Sequence, residues 1–167
     1  MMTKNFSYKV FGILFLIFSF YTVYKIRNDF PNNYDYLLLI ILICVSTDIG
    51  GYVFGNIFKG PKLTQISPKK TYSGMFGGYL LSIIFVNFFL INYNNPTIEL
   101  TGATLLLIIS ISTVSQIGDL IVSYFKRLSN IKDTGKIIPG HGGLLDRIDG
   151  MLFAFPFSYL ILINEFY

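Results

Sequence analysis

The sequence predicts an all-α, polytopic membrane protein with about five transmembrane helices and two polar loops on one face. Apolar residues make up 53% of the chain and charged residues 13%, about half the roughly 25% of an ordinary soluble domain. Of the 13 basic and 9 acidic residues, only Asp48 and Asp119 lie inside long apolar runs. One Cys and one His exclude a disulfide scaffold and zinc sites built from His and Cys clusters.

Five apolar stretches are candidates for crossing a bilayer core, which is about 30 Å thick and takes about 20 helical residues. They are residues 10–24, 36–58, 75–93, 101–125 and 150–164. The first and last are short, so we expect them to tilt, to re-enter or to be covered by a partner. Lys4 and Lys9 precede the first stretch as in a signal peptide, but no small-residue cleavage pattern follows, which predicts an uncleaved anchor.

The distribution of Lys and Arg predicts the orientation in the membrane, because these residues stay on the cytoplasmic side. With the N-terminus inside, eleven of the 13 basic residues fall on the inner side, and only Lys25 and Arg27 fall outside. This bias places two long polar loops, residues 59–74 and 126–149, together at the cytoplasmic face of the inner membrane. It also explains the net charge of +4 without nucleic-acid binding.

Asp48 and Asp119 are the first indications of function. An ionised carboxylate is costly in hydrocarbon, so such residues usually face a cavity, a partner charge or an ion. The alternative is that each caps a helix or pairs with a loop Lys. Spacings of three and four place Gln116, Asp119, Ser123 and Lys126 near one helix face, which we expect to point away from lipid.

The segment 123–149 combines five cations, three carboxylates, one His and a Pro-Gly-His-Gly-Gly turn. Glycines let backbone approach a ligand closely, and the N–H groups of turns can bind anions. Lys and Arg suit phosphate oxygens, and carboxylates near phosphates suit Mg²⁺. The combination predicts a polyphosphate and its metal ion at a membrane surface. The alternative is a solvated loop whose charges only set the topology.

The earlier loop, residues 59–71, has a similar composition. Ser67-Pro68 predicts a turn and the start of a helix, because Pro is favoured in the first helical turn. The glycines at 74, 77 and 78 predict close helix packing. Lys69 and Lys70 suit either a phosphate or the anionic leaflet, and the loop alone does not separate these roles.

Residues 123–149 resemble the signature of the phosphatidate cytidylyltransferase (CDP-diacylglycerol synthase) family over all 27 positions. The pattern is Ser-x-hydrophobic-Lys-Arg, four residues, Lys-Asp, then Pro-x-His-Gly-Gly and x-x-Asp-Arg-x-Asp. Residues 48–55 and 66–71 are similar to two further blocks of that family. The resemblance covers residues 47–167, about three quarters of the chain.

The resemblance implies that CTP and phosphatidic acid give CDP-diacylglycerol and diphosphate, with one or two Mg²⁺ ions held by Asp119 and Asp146. The candidate catalytic residues are Asp119, Asp146, Lys126, Arg127, Lys132, Asp133, His141 and Asp149. The candidate nucleotide-binding residues are Ser123, Lys126, Arg127, Lys69, Lys70, Gly142, Gly143 and Arg147. The expected partners are CTP, phosphatidic acid and membrane lipids. We expect residues 1–35 to form an anchor helix with an outer loop, and residues 36–167 the catalytic domain.

Several positions depart from the family pattern. Ser73 stands where the family has Glu, Lys59-Gly60 reverses a Gly-Lys pair, and Gly150 stands where Ser is common. Family members usually carry several more N-terminal membrane segments, so we expect this chain to be a short form. It is then a reduced enzyme, a fragment, or an enzyme completed by oligomerisation such as a homodimer.

Two other functions stay open at this stage. One keeps the site but changes the acceptor to an ether-lipid phosphate or a polyprenol. The other is a non-catalytic membrane subunit or degenerate relative that binds a nucleotide or a partner. Without the 27-residue signature, the intramembrane carboxylates would also fit a small transporter.

Overall fold

The computed structural model describes residues 2–30, 33–65, 67–93, 101–131, 133–135, 143 and 145–166. These residues form five α-helices and a short 3₁₀ turn, Leu145–Arg147, and no β-strand. The helices are α1 Met2–Asp29, α2 Asn33–Phe58, α3 Tyr72–Tyr93, α4 Gly102–Leu128 and α5 Met151–Phe166. The predicted all-α, polytopic architecture is confirmed, because α1 to α4 are each long and apolar enough to cross a membrane.

The two terminal spans differ in how well they were predicted. The candidate span in α1 runs from Val10 to Asp29, 20 residues, and is therefore longer than the apolar run 10–24 that the sequence predicted. The difference arises because α1 continues through the polar residues that follow Tyr24. The apolar part of α5, Met151–Asn164, is indeed too short to cross a bilayer unaided.

The turn predicted at Ser67-Pro68 is confirmed, but the helix start predicted there is wrong. Ser67 and Pro68 form a turn, in which the Lys70 N–H donates to the Ser67 carbonyl at 3.0 Å, and the helix begins only at Tyr72. The side-chain oxygen of Thr71 accepts the N–H of Gly74 at 3.1 Å. Thr71 therefore caps the helix, and the cap, not the proline, sets where α3 begins.

Helices α2 and α3 pack with their backbones in contact. A Cβ on Gly50 would lie 2.3 Å from the carbonyl oxygen of Gly77, and a Cβ on Gly74 would lie 2.6 Å from that of Gly51. A Cβ on Gly77 would lie 2.3 Å from the Cβ of Phe54. In lipid, burying apolar surface between helices gives little free energy of association. Small residues favour association because they let the helix backbones approach closely. The predicted close packing is confirmed.

All five helices contribute to one buried core. Its members are represented by one fully or nearly fully buried residue from each helix: Ile26, Ile43, Val86, Ile108 and Leu162. A hydrogen bond of 2.8 Å from Thr47 on α2 to Ser112 on α4 adds a polar link within this core. These contacts hold the polar face of α4 against α2 and α5.

Helix α5 begins part of the way along α4. A Cβ on Gly150 would lie 2.6 Å from the side-chain oxygen of Ser115, and a Cβ on Gly118 would lie 2.7 Å from the Phe153 ring. Ser115 precedes the end of α4 at Leu128 by 13 residues, or about 20 Å at 1.5 Å per residue. The chain after α4 therefore returns alongside that helix before α5 starts, which explains why α5 is short.

Candidate active site

Lys126 lies between two carboxylates that follow it in the chain. Its ammonium nitrogen is 3.1 Å from an oxygen of Asp146 and 3.3 Å from an oxygen of Asp149. The three side chains are 12%, 9% and 10% exposed. Buried charges of this kind need partners, and here one cation compensates two acids. The returning segment after α4 brings both aspartates to the face of α4 that carries Lys126.

Asp146 is held by backbone donors as well as by the lysine. It lies in the 3₁₀ turn Leu145–Arg147 and accepts the N–H of Gly143 at 2.7 Å and of Thr134 at 2.9 Å. Burial pushes the pKa of Asp146 up, but the N–H groups of Gly143 and Thr134 and the Lys126 ammonium together lower it to about 2. Asp146 is therefore ionised at physiological pH.

Asp149 has the opposite electrostatic setting. The residue is 7% exposed, and one of its oxygens accepts the Gly150 N–H at 2.9 Å. Burial and then the negative charge of Asp119 raise the pKa of Asp149 to about 6, against the opposing effect of Lys126.

Asp119 forms an ion pair with Lys70, which lies in the polar loop before α3. The Ser123 hydroxyl donates to Asp119 at 3.4 Å, as the predicted polar stripe requires. Lys70 is presented by a small hairpin, in which the Leu63 N–H donates to the Lys70 carbonyl at 2.8 Å. The pair is about a quarter exposed, 26% for Lys70 and 28% for Asp119. For Lys70, the structure favours the site over the leaflet.

The remaining predicted residues divide into three groups. Lys69, Arg127, Asp133 and Arg147 are exposed, whereas Gly143 is buried and donates to Asp146. Three others lie outside the described residues: Lys132, His141 and Gly142. The structure thus pairs Lys126 with Asp146 and Asp149, pairs Lys70 with Asp119, and leaves Lys69, Arg127, Asp133 and Arg147 exposed.

Sequence reasoning missed one contributor to this site. The Thr134 backbone binds Asp146, and a Cβ on Gly143 would lie 2.7 Å from the Thr134 side-chain oxygen, so this packing needs a glycine. Asp48 was noted as an intramembrane carboxylate but given no role. It is exposed on α2. Nothing in the local sequence around Thr134 marks it, because its contribution comes from the backbone.

The chemistry of the donors fits Mg²⁺ when phosphate oxygens complete its shell. Within the described residues, no three Asp, Glu, His or Cys side chains lie close enough to hold a metal ion by themselves. Mg²⁺ usually binds through one or two carboxylates plus waters and substrate phosphates, so a cage of three acids is not required. Asp119 and Asp146 each offer carboxylate oxygens. In this structure each carboxylate forms an ion pair with a lysine.

The fold and the site define a helical membrane protein in which acidic and basic side chains of α4 pair with those of the two polar loops. A sequence profile of the Cytidylyltransferase family matches residues 1–164. The match covers nearly all of the chain, including α1, which lies before the region of the 27-residue signature. The chain therefore belongs to the Cytidylyltransferase family.

Curated relatives carry a more specific name. The chain is 38% identical over 157 residues to the phosphatidate cytidylyltransferase of Staphylococcus aureus strain COL, covering 92% of this chain and 56% of that protein. It is 36% identical over 161 residues to the phosphatidate cytidylyltransferase of Staphylococcus haemolyticus strain JCSC1435, covering 95% and 59%. The chain thus spans a little over half the length of the curated relatives it matches.

Proposed function

We propose that the protein is a phosphatidate cytidylyltransferase, which converts CTP and phosphatidic acid to CDP-diacylglycerol and diphosphate in phospholipid biosynthesis. One observation carries the proposal. Lys126, Asp146 and Asp149 of the 27-residue signature pair with one another, and Asp119, two turns before Lys126 on α4, pairs with Lys70. Membership of the Cytidylyltransferase family and the names of the relatives support it.

The reaction needs positioning and charge neutralisation more than covalent chemistry. An oxygen of the phosphatidic acid phosphate attacks the α-phosphorus of CTP, and the bond from that phosphorus to the diphosphate oxygen breaks. The nucleophile is already an anion, so no enzyme-bound intermediate is needed. The obstacle is repulsion between a phosphomonoester and a triphosphate, and the protein reduces it by arranging cations around both.

Two of the acids are the proposed metal ligands. One or two Mg²⁺ ions held by Asp119 and Asp146 would supply charge neutralisation at the phosphate oxygens. Asp146 is suited to this role because its low pKa keeps it ionised and its backbone donors fix its orientation. Asp149 keeps Lys126 beside the site through the contact at 3.3 Å.

The lysines are the proposed phosphate ligands. Lys126 and Lys70 now neutralise carboxylates, and each ammonium has three donors on a flexible stem. A triphosphate arriving with its metal ion would compete for them, and they would then bind phosphate oxygens near their present positions. Arg127 lies next to Lys126 and is exposed at the end of α4, where it can meet the outer part of the nucleotide.

The membrane setting follows from the lipid substrate. We place the chain in the inner membrane with both polar loops facing the cytoplasm, where CTP is found. The diacylglycerol tails stay in the bilayer and the headgroup reaches the site from the side. Residues 36–167 carry the chemistry and residues 1–35 anchor them. Assembly into a homodimer stays a prediction.

A direct assay tests this function. Purified protein is mixed with phosphatidic-acid micelles, Mg²⁺ and CTP tritiated in the cytosine ring, and label entering the organic phase is counted. We expect lipid-dependent and CTP-dependent incorporation that EDTA abolishes. An ether-lipid phosphate and a polyprenyl phosphate serve as competing acceptors. Absence of incorporation with every acceptor would refute the proposal, and a preference for another acceptor would correct the substrate.

A further inference from the structure

Helix α5 contains a proline, Pro156, four residues after Leu152. Proline has no N–H, so the Leu152 carbonyl loses the donor that an α-helix normally gives it. A carbonyl left without a donor is costly in a membrane, and a neighbouring helix often supplies one. Here the hydroxyl of Ser19 on α1 donates to the Leu152 carbonyl at 2.8 Å. Ser19 is fully buried and Leu152 is 5% exposed.

The Ser19 hydroxyl has one hydrogen, which it shares between the Leu152 carbonyl and the Phe15 carbonyl of its own helix, 2.9 Å away. That carbonyl lies four residues before Ser19 and receives the backbone N–H of Ser19 in a regular α-helix. The Leu152 carbonyl has no equivalent donor at position 156. The hydroxyl of Ser19 therefore matters more to α5 than to α1.

The bond lies close to the proposed site. Leu152 follows Asp149 by three residues, and the Gly150 carbonyl between them accepts two N–H groups from the first turn of α5, those of Phe153 and Ala154 at 3.2 Å each. The turn that Ser19 contacts is thus continuous with the backbone that carries Asp149. Any shift of this turn along α1 would move the Asp149 carboxylate away from Lys126.

The opposite side of the same turn is fixed by shape. Gly150 and Phe153 pack against Ser115 and Gly118 of α4 at distances that leave no room for another carbon. On the α1 side, the Ser19 hydrogen bond is joined by contact between the Phe15 and Phe153 rings, with centroids 4.7 Å apart. The first turn of α5 is therefore held between α4 and α1, and Ser19 supplies the hydrogen bond on the α1 side.

We propose that Ser19 is a positioning residue: by replacing the donor that Pro156 lacks, it docks the start of α5 on α1 and so fixes Asp149 beside Lys126. This inference rests on the proposed cytidylyl transfer and gives α1 a role beyond anchoring. It predicts a specific pattern of loss and rescue, because an alanine at 156 would return the missing N–H to the Leu152 carbonyl.

The test compares Ser19→Ala, Pro156→Ala and the double variant in the full chain. Ser19→Ala should lower the rate of CTP-dependent transfer roughly three- to twenty-fold, the range that interhelical hydrogen bonds in membranes span. The double variant should regain most of that rate. Ser19→Thr, which keeps the hydroxyl, should stay near the wild-type rate. Ser158→Ala is the matched control, since Ser158 is also buried but donates only within α5, to Ala154 at 2.8 Å.

Hydrogen–deuterium exchange in micelles gives a second readout that needs no activity. Ser19→Ala should speed exchange of the peptide covering residues 145–158, and Pro156→Ala should reverse the effect. Unchanged exchange in Ser19→Ala, or a double variant no better than Ser19→Ala alone, would overturn the inference. Altered exchange with a wild-type transfer rate would overturn the catalytic consequence. If the wild-type chain itself transfers nothing from CTP, the proposed function fails, and the exchange data still decide whether Ser19 docks α5.

Discussion

Replacing Lys126 with Met should destabilise the protein far more than replacing Lys70 with Met. Lys126 is the cation between Asp146 and Asp149, and all three side chains are 12% exposed or less. Breaking a buried ion pair by removing one partner costs about 3–5 kcal/mol, because the remaining charge has no compensation. The Lys70 pair is about a quarter exposed, so its loss should cost no more than about 1 kcal/mol.

These energies convert to a measurable difference in melting temperature. For a chain of this size, 1 kcal/mol shifts Tm by about 2–4 °C. Lys126→Met should therefore lower Tm by about 6–20 °C, and Lys70→Met by no more than about 4 °C. Unfolding in detergent is often irreversible, so the variants are compared at one scan rate.

The chain provides its own probe for this assay. Cys44 is the single cysteine and is fully buried, so a thiol-reactive maleimide dye reports unfolding without any engineered label. Equal shifts for the two variants, or a larger shift for Lys70→Met, would refute the assignment of Lys126 as the buried counter-ion. Mg²⁺ should recover part of the loss in Lys126→Met if the carboxylates accept a divalent ion.

The destabilisation caused by Lys126→Met should also depend on pH. The pKa of Asp149 in the folded state, about 6, lies above its ordinary value of 3.8, so protonation of Asp149 favours the folded protein. Stability from this group is present at low pH and is lost as pH rises through 6. Lys126 lowers this pKa, so in Lys126→Met the carboxyl of Asp149 is protonated over a wider pH range. The fall in Tm caused by Lys126→Met should therefore be smaller at pH 5 than at pH 8. A pH-independent difference between Lys126→Met and wild type would contradict this.

Three further predictions address the site and the packing. Asp119→Asn should lower transfer at least ~100-fold without loss of expression, as a metal ligand would; near-normal turnover would remove it from that role. Lys70→Met should raise the KM for CTP, whereas Lys62→Met in the same hairpin should not; equal effects would indicate only a general surface charge. Gly77→Ala should lower the protein's Tm, measured with the dye that reacts with Cys44, by several degrees. Gly12→Ala should not, because nothing lies within 4 Å of the new carbon.

Much of the fold could be predicted because its signals are local. The apolar runs predicted α2, α3 and α4 to within three residues at each end. The helix start predicted at Pro68 was wrong because a turn sequence there resembled the start of a helix. The start of α5 could be located, but not the reason for its shortness. That reason is the contact of Gly150 with Ser115, which depends on how two helices pack.

The candidate site was predictable where one helix or one motif sets it. Helical spacing predicted the Asp119 and Ser123 contact, and the 27-residue signature grouped Lys126 with Asp146 and Asp149. The sequence left open that Asp119 pairs with a loop lysine, and the structure shows such a pair with Lys70; which lysine could not be predicted, because the pair joins residues 49 positions apart through packing of α3 on the rest of the bundle. Ser19 carries no sequence signal of its own, since its importance arises only beside Pro156.

The most direct measurement follows the two ends of the triphosphate separately. Wild-type protein and Asp146→Asn are incubated with Mg²⁺ and phosphatidic acid, with CTP labelled either at the α- or at the γ-phosphate. Attack at the α-phosphorus predicts that wild-type protein moves α-label into lipid and releases γ-label as diphosphate in equal amounts, and that Asp146→Asn does neither. Transfer of γ-label to lipid, or full activity in Asp146→Asn, would contradict the proposed chemistry at this cluster of carboxylates and lysines.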